Sequence, residues 1–182
     1  LRGLYKSADA PNHAGARHRA QLLGSGSIIN EVIRAQAVLA EKYGVAADVW
    51  SVTSYKELRT DGLAADRWNM LHPGEAPRVP WVAQCLGNAG NGVVVAASDY
   101  MKMLPDGIAR WVPGGVTSLG TDGFGRSESR EALRDFFEVD HRFVVLATLS
   151  ALARQGGIGA EEVRAAMLDM KISENKSDPW VS

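Results

Sequence analysis

The chain has 182 residues, 46% apolar and 23% charged, which suits one globular domain and argues against global disorder. With 20 Lys and Arg against 21 Asp and Glu, there is no net field to attract nucleic acid or anionic lipid. No apolar run approaches membrane-spanning length and no signal-peptide pattern opens the chain. The single cysteine, Cys85, has no internal disulfide partner and fits a reducing compartment, so a cytoplasmic location is expected.

In chain order, 3-GLYKSA-8 is a short strand candidate, followed by a polar connection over 9–19. Residues 20–28 read as a strand entering a glycine turn. From Ile29 the apolar spacing Ile29, Val32, Ile33, Ala37, Leu39 and Ala40 predicts a helix. Glu31, Arg34, Gln36 and Glu41 fall on its more polar side, and Gly44 is its stop. The β-branched and aromatic run 47–53 is a strand, and 54–66 opens on a serine cap and carries a short helix. Three prolines make 67–81 a shaped surface excursion, with Pro80 starting a short helix that ends near Gly87. The continuous apolar run 92–98 is the clearest central strand.

Asp99 is expected to cap a helix over 100–111 that Pro105 shortens, kinks or displaces. A fourth parallel strand is predicted at 115–120, then helices at 128–137, 140–156 (capped by Asp140) and 160–170. Residues 1–19 thus form a lead-in segment, 20–172 the core, and 173–182 a peripheral cap that Trp180 tethers. The expected fold class is α/β, a mostly parallel sheet of four or five strands flanked by helices, with strand order left open.

Few residues suggest chemistry. The turn 24-GSGSII-29 has GxG, but Ile29 stands where a dinucleotide fingerprint needs glycine, and Asp48 precedes its strand; a tight βα turn fits better. No GxxxxGK[ST], HExxH or paired CxxC occurs. His13 and His18 lie in a polar connection, and His141 follows a helix cap. His72, in 69-NMLHPGE-75, sits near a carboxylate, so acid–base work competes there with a structural or interface role. Cys85 lies in an amphipathic stretch and reads as a structural thiol. Trp68, Trp81 and Trp111 suit either an apolar interface or the core.

The stretch 116-VTSLGTDGFGRSESREALRDFF-137 is the most informative. Gly120, Gly123 and Gly125 permit a shaped loop, Asp122-Gly123 is a turn signal, and Ser127 is a helix-cap candidate. Arg126 and Arg130 can meet an anion or the carboxylates of a neighbouring domain. Phe124 offers contact area without an acid–base group, which favours docking over catalysis.

The stretches 22-LLGSGSIINEV-32, 68-WNMLHP-73, 98-SDYMKMLPD-106 and 118-SLGTDGFGRSESREALRDFFEVD-140 closely resemble the C-terminal domain of the bacterial homodimeric pyruvate dehydrogenase E1 family. The resemblance implies a thiamine-diphosphate-dependent, transketolase-like 2-oxo-acid dehydrogenase. In such enzymes the cofactor's ylide attacks pyruvate, carbon dioxide leaves, and the acetyl unit passes to the lipoyl arm of the E2 acyltransferase.

It also implies that thiamine diphosphate and Mg2+ are held by domains absent from this sequence, which has no GDG followed by an asparagine pair. The family's activating glutamate and catalytic histidines are not carried onto Glu75 or His72. The chain alone is therefore expected to be inactive and cofactor-free. Its start at Leu1 suggests a piece of a longer polypeptide. Expected partners are the remaining E1 domains, a second E1 subunit and lipoyl-bearing E2. The expected docking or substrate-access residues are His72, Asp122, Phe124, Arg126 and Arg130. Another thiamine-dependent transketolase or 2-oxo-acid dehydrogenase, or a standalone α/β interaction or regulatory domain, are the alternatives.

Overall fold

The computed structural model describes residues 2–11, 16–87 and 92–181; His13 lies outside the described residues. Five strands, β1 (Leu4–Ala8), β2 (His18–Gly24), β3 (Val45–Val52), β4 (Val93–Ala97) and β5 (Thr117–Leu119), form one sheet in the order β1-β3-β2-β4-β5. The last four are parallel, and β1 runs antiparallel along β3 at one edge. This is the expected mostly parallel α/β sheet, with its order now defined.

Period-two alternation decides what covers each face. Ala20, Leu22, Val45, Ala47, Val49, Val93 and Val95 point to one side, where they meet α1 (Ile29–Tyr43), α5 (Arg130–Phe136), α6 (His141–Arg154) and α7 (Ala160–Asp169). Leu23, Trp50, Val52, Val94 and Ala96 point to the other, against α2 (Tyr55–Leu71), α3 (Trp81–Gly87) and the segment after α4 (Met103–Asp106). The β4 run VVVAA is buried throughout because helices cover both of its faces.

Local signals explain most element ends. Gly44 ends α1 in a left-handed conformation at φ 63°, its N–H donating to Leu39 O. Ser54 caps α2 by accepting from Glu57 N, and the Asp140 carboxylate caps α6 by accepting from Arg142 N and Phe143 N.

Several boundaries differ from expectation. Helix α2 runs through 67–71 because no proline interrupts it before Pro73, and His72, the residue before that proline, leaves helical geometry at φ −128°. Strand β2 begins at His18, so His18 and Arg19 pair with Val45 and Ala46 instead of lying in the connection. Asp99 is not the cap of α4, which starts from Lys102 and lasts four residues, followed by a 3-10 turn at Ala109–Trp111. Ser129 caps α5 in place of Ser127, accepting from Ala132 N.

Asp48 lies inside β3 and is buried, not ahead of the strand. Its carboxylate accepts from Ala10 N at 2.9 Å and Gln21 Nε2 at 3.3 Å, with Lys6 Nζ 3.3 Å away. Burial opposes its ionisation, but the Ala10 N–H, the Gln21 amide and Lys6 outweigh this and hold it below the usual carboxylate range. Gln21 also accepts from Trp50 Nε1 at 2.5 Å, so these residues form one closed polar knot.

The tail is tethered by Lys176 more than by Trp180. Lys176 Nζ donates to Phe136 O at 3.0 Å and lies 3.7 Å from Glu138 Oε1, whereas Trp180 is 64% exposed.

Candidate functional site

All four parallel strands end at one pole, and the loops following them build the region where, among the described residues, most of the expected site residues gather. The chain leaves β2 for β3 across one face, then returns past β2 to β4 across the other. That reversal opens a crevice between β2 and β4 at their carboxyl ends, the place where open α/β sheets bind ligands. Here Ser25 N donates to Ala97 O at 3.3 Å, and the buried Ser25 and Ser98 hydroxyls share a 2.7 Å hydrogen bond.

The loop after β5 is pinned to the loop after β4. Thr121 N donates to Tyr100 O at 3.0 Å, and Thr121 Oγ1 donates to Asp99 O at 2.8 Å. Asp122 Oδ1 accepts from Lys102 N at 3.2 Å, with Lys102 Nζ 3.7 Å from Oδ2. Asp122 therefore fixes the loop from within. Gly120 permits the approach, since a Cβ there would lie 2.5 Å from Tyr100 O. Gly123 is in the left-handed region at φ 98°, with Pro179 O where a side chain would go.

Beyond this pinned part the loop projects. Phe124 is 86% exposed. The Arg126 guanidinium lies 4.1 Å from the Phe136 ring centroid, and Arg130 opens α5 facing solvent. Between the loop, α5 and the start of α1 lies a cleft of about 420 Å3, which Arg126, Arg130 and Arg134 border. Exposed Tyr100, Met101, Met103 and Leu104 add apolar area to the same pole, as do Trp180 and Val181 on the tail.

Arg134 is held by a residue that the sequence pattern misplaced. Glu31, expected on the polar side of α1, has a side chain only 4% exposed. It accepts from Arg134 Nη1 at 2.8 Å and from His141 N at 3.1 Å, with His141 Nδ1 at 3.3 Å and Arg34 Nη1 at 3.4 Å. Gln36 is likewise buried, its amide donating to Ala47 O at 2.7 Å and Asp9 O at 3.1 Å. A clue to Glu31 was present: it lies three residues after Ile28 and four before Ala35, on the stripe that faces the core.

His72 lies elsewhere. Helix α2 leaves the carboxyl pole at Ser54 and runs 17 residues, about 25 Å, before reaching it. Its Nδ1 is 2.8 Å from Trp68 O, and its ring stacks on Trp68 with centroids 4.3 Å apart; Arg78 covers that indole at 4.2 Å. Asn69 locks the clasp by bonding both backbone groups of Arg78. The structure thus brings Asp122, Phe124, Arg126 and Arg130 together and leaves His72 at the opposite pole.

Trp81 and Trp111 have internal hydrogen bonds, to Leu4 O and to the Asp66 carboxylate. Burial pushes the Cys85 thiol up, against a small opposing effect of Arg2, which disfavours a thiolate. Among the described residues no group of three or more His, Cys, Asp or Glu can hold a metal ion. The cleft is lined by three guanidiniums, the Ser27 and Thr121 hydroxyls and the carboxylates of Asp99 and Glu128. No helix among the described residues is long and apolar enough to cross a membrane.

The fold and the loop motifs define a class: the chain belongs to the transketolase-like TK C-terminal domain family, whose model matches residues 3–140. Within that class it matches pyruvate dehydrogenase E1 components. It is 48% identical over 180 residues to the one from Pseudomonas aeruginosa, covering 98% of this chain and 20% of that protein. It is 46% identical over 179 residues to that of Escherichia coli, covering 98% and 20%, and 42% identical over 174 residues to that of Mycolicibacterium smegmatis, covering 96% and 18%. The chain spans about a fifth of the length of these relatives. Among solved structures, a split-gene transketolase described as an inactive β4 tetramer matches with TM-score 0.57 and 16% identity, over 84% of this chain and 43% of that one. Leishmania mexicana transketolase matches at 0.54 and 18%, over 84% and 18%. These structural likenesses support the fold.

Proposed function

We propose that this chain is the C-terminal assembly domain of a pyruvate dehydrogenase E1 component. The full enzyme decarboxylates pyruvate with thiamine diphosphate and Mg2+ bound by its other domains, and it reductively acetylates the lipoyl group of E2. This domain performs none of that chemistry; it docks against the remaining E1 domains and the second E1 subunit, in the cytoplasm. The observation that carries this reading is the concentration of exposed apolar side chains at one pole: Tyr100, Met101, Met103, Phe124 and Trp180. Such area is unfavourable in water and marks a contact surface. The pinned backbone of 120–122 fixes the root of the loop that carries Phe124, which reduces the ordering entropy lost on docking.

In a longer E1 chain carrying this domain, Phe124→Ala removes a ring whose burial contributes about 2 kcal/mol. Dimer dissociation measured by sedimentation should rise at least about tenfold, with turnover falling in step, and Arg126→Ala should act in the same direction. Normal dimerisation and normal turnover in both variants would overturn the docking role.

A further inference from the structure

We infer that the cleft bounded by the 121–130 loop, α5 and the start of α1 binds a small phosphomonoester carrying an apolar body. Three guanidiniums border it. Arg134 is already oriented by Glu31 and donates to Ser27 Oγ at 3.2 Å. Because Ser27 accepts that bond, its own hydroxyl proton remains available to a ligand oxygen. Arg126 is held over the Phe136 ring and Arg130 stands at the rim; neither has a carboxylate partner among the described residues. Arg134 spends its charge on Glu31, whereas the other two are unspent.

The facing carboxylates are Asp99 and Glu128. Asp99 lies against Gly26, where a Cβ would be 3.0 Å from Oδ1, so it also shapes the turn after β2. With Arg134 matched by Glu31, Arg126 and Arg130 face Asp99 and Glu128, so the attraction for an anion comes from two guanidiniums without a carboxylate partner among the described residues and not from a net positive charge. The cleft also has an apolar wall of Ile28, Leu133, Phe137 and Val139. Ile28 and Val139 are almost fully buried, so the apolar surface open to a ligand is that of Leu133 and the edge of Phe137; a compact inorganic anion leaves it wet, whereas an ester with a ring or short hydrocarbon covers it. The volume, about 420 Å3, is that of a small-molecule site, and the position at the carboxyl ends of the parallel strands is where such folds bind ligands. Phosphate and carboxylate can both take a guanidinium bidentately, but the additional oxygen of a phosphomonoester can also reach a second guanidinium.

The test uses the 182-residue chain and phenyl phosphate as probe, with inorganic phosphate and phenol as the two halves of its chemistry. Calorimetry should show one saturable site for phenyl phosphate, at least about tenfold tighter than for either half. Backbone amide NMR shifts should concentrate at 26–28, 121–126 and 130–134. Arg126→Ala with Arg130→Ala should weaken binding by at least about tenfold, since charge-assisted bonds are lost. Arg67→Ala, on exposed α2, should leave it unchanged. No saturation at 10 mM, equal binding of inorganic phosphate, shifts outside the cleft, or an unaffected double variant each overturns the inference. Docking has a separate readout, dimer mass in the longer chain. If the double variant weakens assembly while phenyl phosphate does not bind, the arginines serve the protein contact and the ligand site is refuted.

Discussion

Replacing Glu31 with alanine should be among the costliest single changes available in α1. Glu31 and Arg134 are both largely out of water, with side chains 4% and 16% exposed and their charged atoms 2.8 Å apart. Removing one partner of such a pair costs about 3–5 kcal/mol because the other charge is left poorly solvated. The His141 amide also loses its acceptor, about 1–3 kcal/mol for a buried group, although His141 is near enough to solvent for water to recover part of this. Arg34, 67% exposed, adds little. Partial rehydration of Arg134 through the adjacent cleft offsets some of the loss, leaving about 4 kcal/mol.

For a domain of this size that is a fall in Tm of about 8–16 °C. Urea unfolding followed by circular dichroism would measure it, and Glu31→Gln, which keeps an acceptor, should lose about half as much. A double-mutant cycle with Arg134→Ala should return a coupling of about 2 kcal/mol or more. A loss below 0.5 kcal/mol for Glu31→Ala, or a coupling near zero, would falsify the assignment of Glu31 as the joint between α1, α5 and α6.

Tyr55 is buried with a hydroxyl that has no hydrogen-bond partner among the described residues, and burial pushes its ionisation far above the ordinary phenol value. Tyr55→Phe should therefore be neutral or stabilising by up to about 1 kcal/mol in urea unfolding; a loss above that would reveal a partner for the hydroxyl. At Gly62 a Cβ would lie 2.6 Å from the Trp111 indole, so Gly62→Ala sets overpacking of about 1–3 kcal/mol against about 1 kcal/mol of helix propensity. A net loss and a changed Trp111 fluorescence are expected, while a gain in Tm would show that the indole moves freely. Asp48 has a lowered folded-state pKa, so it favours the native state fully above the unfolded carboxyl value of about 3.9 and loses that contribution as pH falls below it. Asp48→Asn should lower stability at pH 7 and flatten the decline below about pH 4; an unchanged acid limb would refute the link.

Elements with strong local signals were legible. The run 92–98, Gly44, Ser54 and Asp140 announced their roles because apolar continuity, a left-handed stop and an N-cap depend on few neighbours. What the sequence hid depends on partners distant in the chain. Glu31 is charged yet buried because Arg134 and His141, more than a hundred residues later, arrive to meet it. Asp48 is explained by Ala10, Gln21 and Lys6 together, none of which its own flanks mention. At the candidate site, 118–130 was recognisable as a shaped loop, but the inward turn of Asp122 follows from where the β4 loop places Lys102. Likewise 69-NMLHPGE-75 suggested possible chemistry until the Trp68 stack and its distance from the carboxyl pole separated His72 from the other residues.

The antiparallel course of β1 has a geometric consequence. Leu4 pairs with Val52 at the carboxyl end of β3, so the chain comes in at the same pole from which the 120–130 loop projects, and Pro179 of the tail packs on Gly123 there too. β1 and β5 are the two edges of the sheet, about 20 Å apart at the usual strand spacing. A segment joined at either end would begin its path within a short reach of Phe124. Its encounter with that surface would be intramolecular, at millimolar effective concentration for a short linker, so even a weak contact would be occupied most of the time. Cutting such a join should expose how weak the bare contact is.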